Sequence, residues 1–74
     1  MTMRELESVV LTCDVPDYGL KEGDVGTVVL VHGKKEGFEV EFMTLNGETL
    51  AVVTLKKDQV RSIGHREIAH ARSV

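Results

Sequence analysis

The sequence predicts an all-β fold: a small five-stranded, strongly bent antiparallel sheet closing toward a barrel, with a flexible C-terminal tail. Three observations point there. Short β-branched runs recur at roughly ten-residue spacing with Gly, Pro, Asn or Asp between them, the pattern of a small sheet that bends on itself. The run GFEVEFM alternates apolar and acidic residues with the period of a strand. Asn46-Gly47 sits between two apolar runs, where it reads as a hairpin turn. At 74 residues the chain has one small domain's worth of core, and a domain of that size buries only about 60% of its unfolded surface. Most of its apolar residues must therefore act together.

Each element follows from its residues. SVVLTC, Ser8 to Cys13, is short and β-branched and runs into the loop formers of DVPDYG, so it reads as the first strand. The preceding MRELE forms a helical turn or frays. GTVVLVH, Gly26 to His32, is nearly continuous in apolar residues, as in a strand buried on both faces or strongly bent in a small barrel. HGKKEG follows as a solvent-exposed hairpin loop. In GFEVEFM, Phe38, Val40 and Phe42 share the core face, and Glu39, Glu41 and Met43 share the wet one. Asn46-Gly47 suits the positive φ angles of a type I′ turn. ETLAVVTL is the fourth strand, KKDQ a tight turn or one turn of 3₁₀ helix, and VRSI, Val60 to Ile63, a short fifth strand. The barrel domain thus spans residues 1–63, and residues 64–74 form a disordered or marginally helical tail.

Composition narrows function. Residues 1–49 carry ten acidic and four basic groups, net −6, and residues 50–74 carry two and five, net +3. An acidic body repels phosphate backbones, which counts against a general nucleic-acid binder. MTMRELESVV lacks the basic start and apolar core of a secretory signal, so a cytoplasmic location is expected. No run approaches the ~20 apolar residues of a membrane span. The single Cys13 has no CxxC partner and reads as a small buried apolar residue.

The ordered pattern of Val9, Leu11, Asp14, Pro16, Gly19, Leu20, Gly23, Asp24 and Gly26 to Val29 is followed by Glu39 to Phe42, Thr54-Leu55 and Val60-Arg61. This pattern resembles a small bacterial family catalogued as domain of unknown function 4926. The resemblance covers roughly residues 8 to 62. It implies an SH3-like barrel without established catalytic residues. It also implies a small partner of a neighbouring gene product, in an immunity-like or antitoxin-like role. GDVGTVV is also similar to a segment of KOW-type modules and of the nitrile hydratase β-subunit barrel. RNA-binding KOW domains usually carry Lys and Arg around it, whereas here Lys21 stands against Glu22 and Asp24.

Gly23, Asp24 and Gly26 precede a strand, match neither GxGxxG nor GxxxxGK[ST], and include a carboxylate that would repel an anion, so they read as turn residues. Gly19, Asn46 and Gly47 join them as structural turn positions. Asp14, Asp17, Glu22 and Asp24 lack the DxDxDG order of a calcium loop. With Glu39 and Glu41 they compose an acidic surface of the sign that a basic protein partner would meet. Tyr18 reads either as a lid over one end of the barrel or as an interface anchor. His32, His65 and His70 are too scattered for a metal site, and no nucleophile, base and orienting group are proposed by any pattern. Arg66 and Arg72 give the tail a small basic footprint, able to touch RNA or an acidic neighbour.

The expected function is therefore a non-enzymatic protein-binding module, without cofactor or metal, whose partner presents a basic surface. Two other classes stay open: a KOW-like module associated with RNA or ribosomes, and an accessory or self-assembling barrel joined through a sheet edge. The fifth strand pairs either within the chain or with a second copy.

Overall fold

A computed structural model describes residues 4–33 and 36–74. Among these residues, five antiparallel strands form one sheet: β1 (Ser8–Leu11), β2 (Val25–His32), β3 (Gly37–Met43), β4 (Thr49–Lys56) and β5 (Val60–Ser62). Their spatial order is β4-β3-β2-β1-β5, with β4 and β5 at the two edges of an open ladder. The expected all-β antiparallel architecture is thus present. β5 pairs within the chain, Val10 lying opposite Arg61 and Leu11 opposite Val60. Among the described residues, no helix is long and apolar enough to cross a membrane. Lys34 and Lys35 of the HGKKEG loop lie outside the described residues.

One face of the sheet supplies the core. Val9, Leu11, Val28, Phe38, Val40, Phe42, Val53, Leu55 and Val60 are buried, joined by Leu20 from the loop between β1 and β2. The alternation expected for β3 holds, with Phe38, Val40 and Phe42 inward and Met43 exposed. Of the two readings of β2, burial on both faces is not the one found. Its register against β3 shifts between Val28 and Leu30, so Val29 is an extra residue, and both Val29 and Leu30 are exposed. A bulge of this kind breaks the two-residue period, which is why GTVVLVH looked uniformly apolar. A second register shift, opposite Phe42 and Met43, leaves Leu50 unpaired in β4.

Two turn assignments change. Asn46-Gly47 does not form a type I′ turn, because of the pair only Gly47 has a positive φ, at 93°. The Gly47 N–H donates to the Thr44 carbonyl at 3.0 Å, and the Thr44 N–H donates to the Glu48 carbonyl at 2.8 Å. That is the three-residue hairpin in which a type I turn ends on a left-handed glycine. Gly26 is not a turn residue at all: it lies inside β2 and is buried. A Cβ added there would come within 2.6 Å of Val40 Cγ1 and 2.8 Å of Phe42 Cε1. Its requirement is close approach of the β3 side chains, not a special φ.

The ends of the elements also differ from expectation. β1 stops at Leu11, and Cys13 beyond it is half-buried instead of sitting in a core strand. KKDQ does form a single 3₁₀ turn, Lys57–Gln59. It is capped by one bond, the Lys56 N–H donating to Gln59 Oε1 at 2.8 Å. The C-terminal segment forms no helix and has no buried residue, yet it is tied to the body through ion pairs at Glu67 and Arg72.

Candidate partner-binding surface

The loop between β1 and β2 is organised by its own backbone. Val15 and Leu20 form an isolated antiparallel bridge, each N–H donating to the other's carbonyl. Pro16 then starts a 3₁₀ turn, Pro16–Tyr18, which Gly19 ends in the left-handed conformation at φ 69°. Proline suits the first position because its missing N–H is not needed there. The next turn, Lys21 to Asp24, is closed by the Asp24 N–H donating to the Lys21 carbonyl at 3.0 Å, with Gly23 at φ 93° in its third position. Positive φ at that position is what a type II turn demands of its residue.

Two of the acidic side chains serve this framework. Asp14 Oδ1 accepts from the Glu22 N–H at 2.9 Å, and Asp24 Oδ2 accepts from the Lys21 N–H at 2.8 Å. Both are the aspartate-to-backbone bonds that stabilise tight turns. Asp14, Asp17 and Glu22 remain exposed, and so does Tyr18, with 53% of its surface accessible. No residue of the 3₁₀ turn is buried. Tyr18 therefore does not close one end of the core as a lid; it projects from a fixed acidic loop.

Asp24 is different, because a cation from the far end of the chain already meets it. Arg72 Nε donates to Asp24 Oδ1 at 2.8 Å and Arg72 Nη2 to Asp24 Oδ2 at 2.6 Å. Nη2 also donates to the Gly19 carbonyl at 3.0 Å. The Arg72 hydrogen bonds hold the Asp24 carboxyl below its ordinary pKa, against a smaller opposing effect of burial.

The other acidic pair lies on the outer face of β3. Glu39 Oε2 is 2.6 Å from His32 Nε2 on β2 and accepts from Thr54 Oγ1 on β4 at 2.7 Å. The hydrogen bond with His32, then that from Thr54, lowers the Glu39 pKa. Glu41 Oε2 accepts from Thr49 Oγ1 at 2.6 Å. Thr54 lies directly opposite Glu39, while His32 and Thr49 reach their carboxylates diagonally, from positions opposite Gly37 and Met43. Val52 and Met43 are both exposed beside these carboxylates, at 50% and 47%.

The loop acids and the β3 acids form two groups that share no hydrogen bond among the described residues. β2 links them. Thr27 stands opposite Glu41 and is three residues on from Asp24, about 10 Å along an extended chain. Asp14, Asp17, Tyr18 and Glu22 are thus gathered on one loop, Glu39 and Glu41 on the neighbouring sheet face, and Asp24 between them is engaged by Arg72.

Sequence reading missed two features here. One is the Asp24–Arg72 pair, whose partners are 48 residues apart. The other is a bidentate pair between Arg61 and Glu67, at 2.8 and 2.7 Å, with Glu67 also accepting from the Gly64 N–H. The basic end on an acidic body is the signal for the first; the second pair joins two residues of that same end and has none. Among the described residues, no group of three or more His, Cys, Asp or Glu side chains is assembled to hold a metal ion.

A family model described as Domain of unknown function (DUF4926) matches residues 5–62, the family that the Val9 to Arg61 pattern resembles. No curated protein and no solved structure matches the chain.

Proposed function

This chain belongs to the DUF4926 family, and we propose that it acts as a non-enzymatic protein-binding module, an immunity-like or antitoxin-like partner of an adjacent gene product. The observation that carries this reading is an exposed tyrosine on a hydrogen-bonded acidic loop: Tyr18 lies on the loop that also carries the exposed Asp14, Asp17 and Glu22. Tyrosine buries a large area at low entropic cost and is over-represented where binding energy concentrates. The surrounding carboxylates attract a basic surface and set the orientation of encounter. Binding then blocks the partner by occlusion, with Glu39 and Glu41 extending the contact onto the sheet.

The reading includes an SH3-like barrel as the scaffold. Its support is chain connectivity. Only Lys57–Gln59 separate the two edge strands β4 and β5, and four residue steps from Lys56 to Val60 reach at most about 14 Å. In a flat sheet those edges would lie about 19 Å apart, at ~4.8 Å per strand, so a sheet so connected is expected to curl.

The test is co-purification with the product of the adjacent gene, using the wild-type chain and a variant reversed at Asp17, Glu22 and Glu41. Retention of the wild type and loss of the reversed variant are expected. No association, or undiminished association after reversal, rejects the proposed face. A second reading is self-assembly through β4, an eight-residue edge strand with Leu50 and Val52 exposed. Sizing in solution separates the two, because the partner-binding reading expects a monomer. A salt-sensitive shift with RNA would instead favour a KOW-like role.

A further inference from the structure

We propose that Asp24 and the Gly19 carbonyl form a receptor for an arginine side chain, and that Arg72 is its tethered resident, displaced when an arginine of the basic partner takes its place. The inference rests on the protein-binding reading above and adds to it the chemistry of one contact and a built-in competitor.

Part of the receptor is held by the loop's own bonds. The Lys21 N–H orients one oxygen of Asp24, and the left-handed Gly19 carries the carbonyl that faces the same ligand. Arg72 fills it with three donors, two in a fork on the carboxylate and one on the carbonyl. A planar guanidinium can make all three bonds at once, whereas a lysine ammonium has no matching fork. The site therefore selects arginine over lysine.

The resident is built to leave. Residues 63–74 are exposed throughout, with Ile68 at 94% and Val74 at 73%, so no apolar side chain anchors the segment beside Arg72. The Arg61–Glu67 pair holds the first half of the segment to the end of β5. Beyond it, Arg72 supplies the side-chain contacts to the loop, and 31% of its side chain stays accessible. A competitor held on a short tether acts at an effective concentration of about millimolar, enough to screen weak basic ligands and too little to exclude a complementary partner.

The test uses the full chain labelled with ¹⁵N and, as ligand, a blocked peptide with the sequence of residues 68–74, IAHARSV. In Arg72→Ala the added peptide should produce saturable amide shifts at Gly19, Lys21, Gly23 and Asp24. The wild type should need a several-fold higher peptide concentration for the same shifts, and R72A/D24N should show none. A peptide with alanine or lysine in place of its arginine should shift neither chain. Arg72→Lys provides a second opened chain and should respond as Arg72→Ala does. Equal response in wild type and R72A overturns the competitor. No response in either opened chain, or a response surviving D24N, overturns the receptor. Those failures leave the protein-binding reading standing, because its own test reverses Asp17, Glu22 and Glu41, none of which touches Arg72.

Discussion

Gly23 and Gly26 are three residues apart and are needed for opposite reasons. Gly23 has φ 93° and open space where a Cβ would stand. Gly26 has ordinary strand geometry but would drive a Cβ into Val40 and Phe42, and to 3.0 Å from the Glu41 carbonyl. Gly23→Ala should cost about 1 kcal/mol through backbone strain alone. Gly26→Ala should cost about 1–3 kcal/mol through overpacking. Urea denaturation of the two variants checks the ranking; equal losses would mean that β3 yields to the added methyl. The sequence showed both glycines beside an apolar run but could not separate these causes. One is local, while the other depends on the register that brings β3 across β2.

At the scale of an element, β3 shows why some strands were legible and others not. Its alternation survives folding, so its core face and wet face could be read directly. Phe42→Ala should therefore cost about 3–5 kcal/mol, against less than about 0.5 kcal/mol for Met43→Ala at the exposed end of the strand. Thermal or urea unfolding measures both. In β2 and β4 the bulges at Val29 and Leu50 shift the phase, and only pairing with a neighbour reveals where. The tail was the least legible element, because ion pairs between distant residues leave no local period. Arg61, ahead of the Gly64 N–H, brings the Glu67 carboxyl from its ordinary 4.5 to about 2. Since the folded value is depressed, this contact contributes fully above pH ~4.5 and is lost as pH falls toward 2. NMR titration of Glu67 should show a midpoint near 2 in the wild type. In Arg61→Ala the midpoint should return toward the ordinary value; an unchanged midpoint would remove Arg61 as the cause.

Across the whole molecule, the charge asymmetry visible in the sequence becomes an internal arrangement. Its basic end folds back on the acidic body, and Arg72 neutralises Asp24 while leaving Asp14, Asp17 and Glu22 exposed around Tyr18. The five-stranded sheet and its core were legible because they follow from strand period and turn residues. The division of the acidic surface into an open part and an occupied part was not, because it is made by a contact spanning 48 positions. The central claim is that the open part steers a basic protein partner, and it is tested most directly by kinetics. The association rate constant with the adjacent gene product should be measured by stopped flow at low and high salt, for the wild type and for the chain reversed at Asp17, Glu22 and Glu41. Electrostatic steering predicts a wild-type rate constant that falls steeply with added salt and a reversed variant slower by at least about tenfold at low salt. A rate constant indifferent to both salt and charge reversal would contradict the claim.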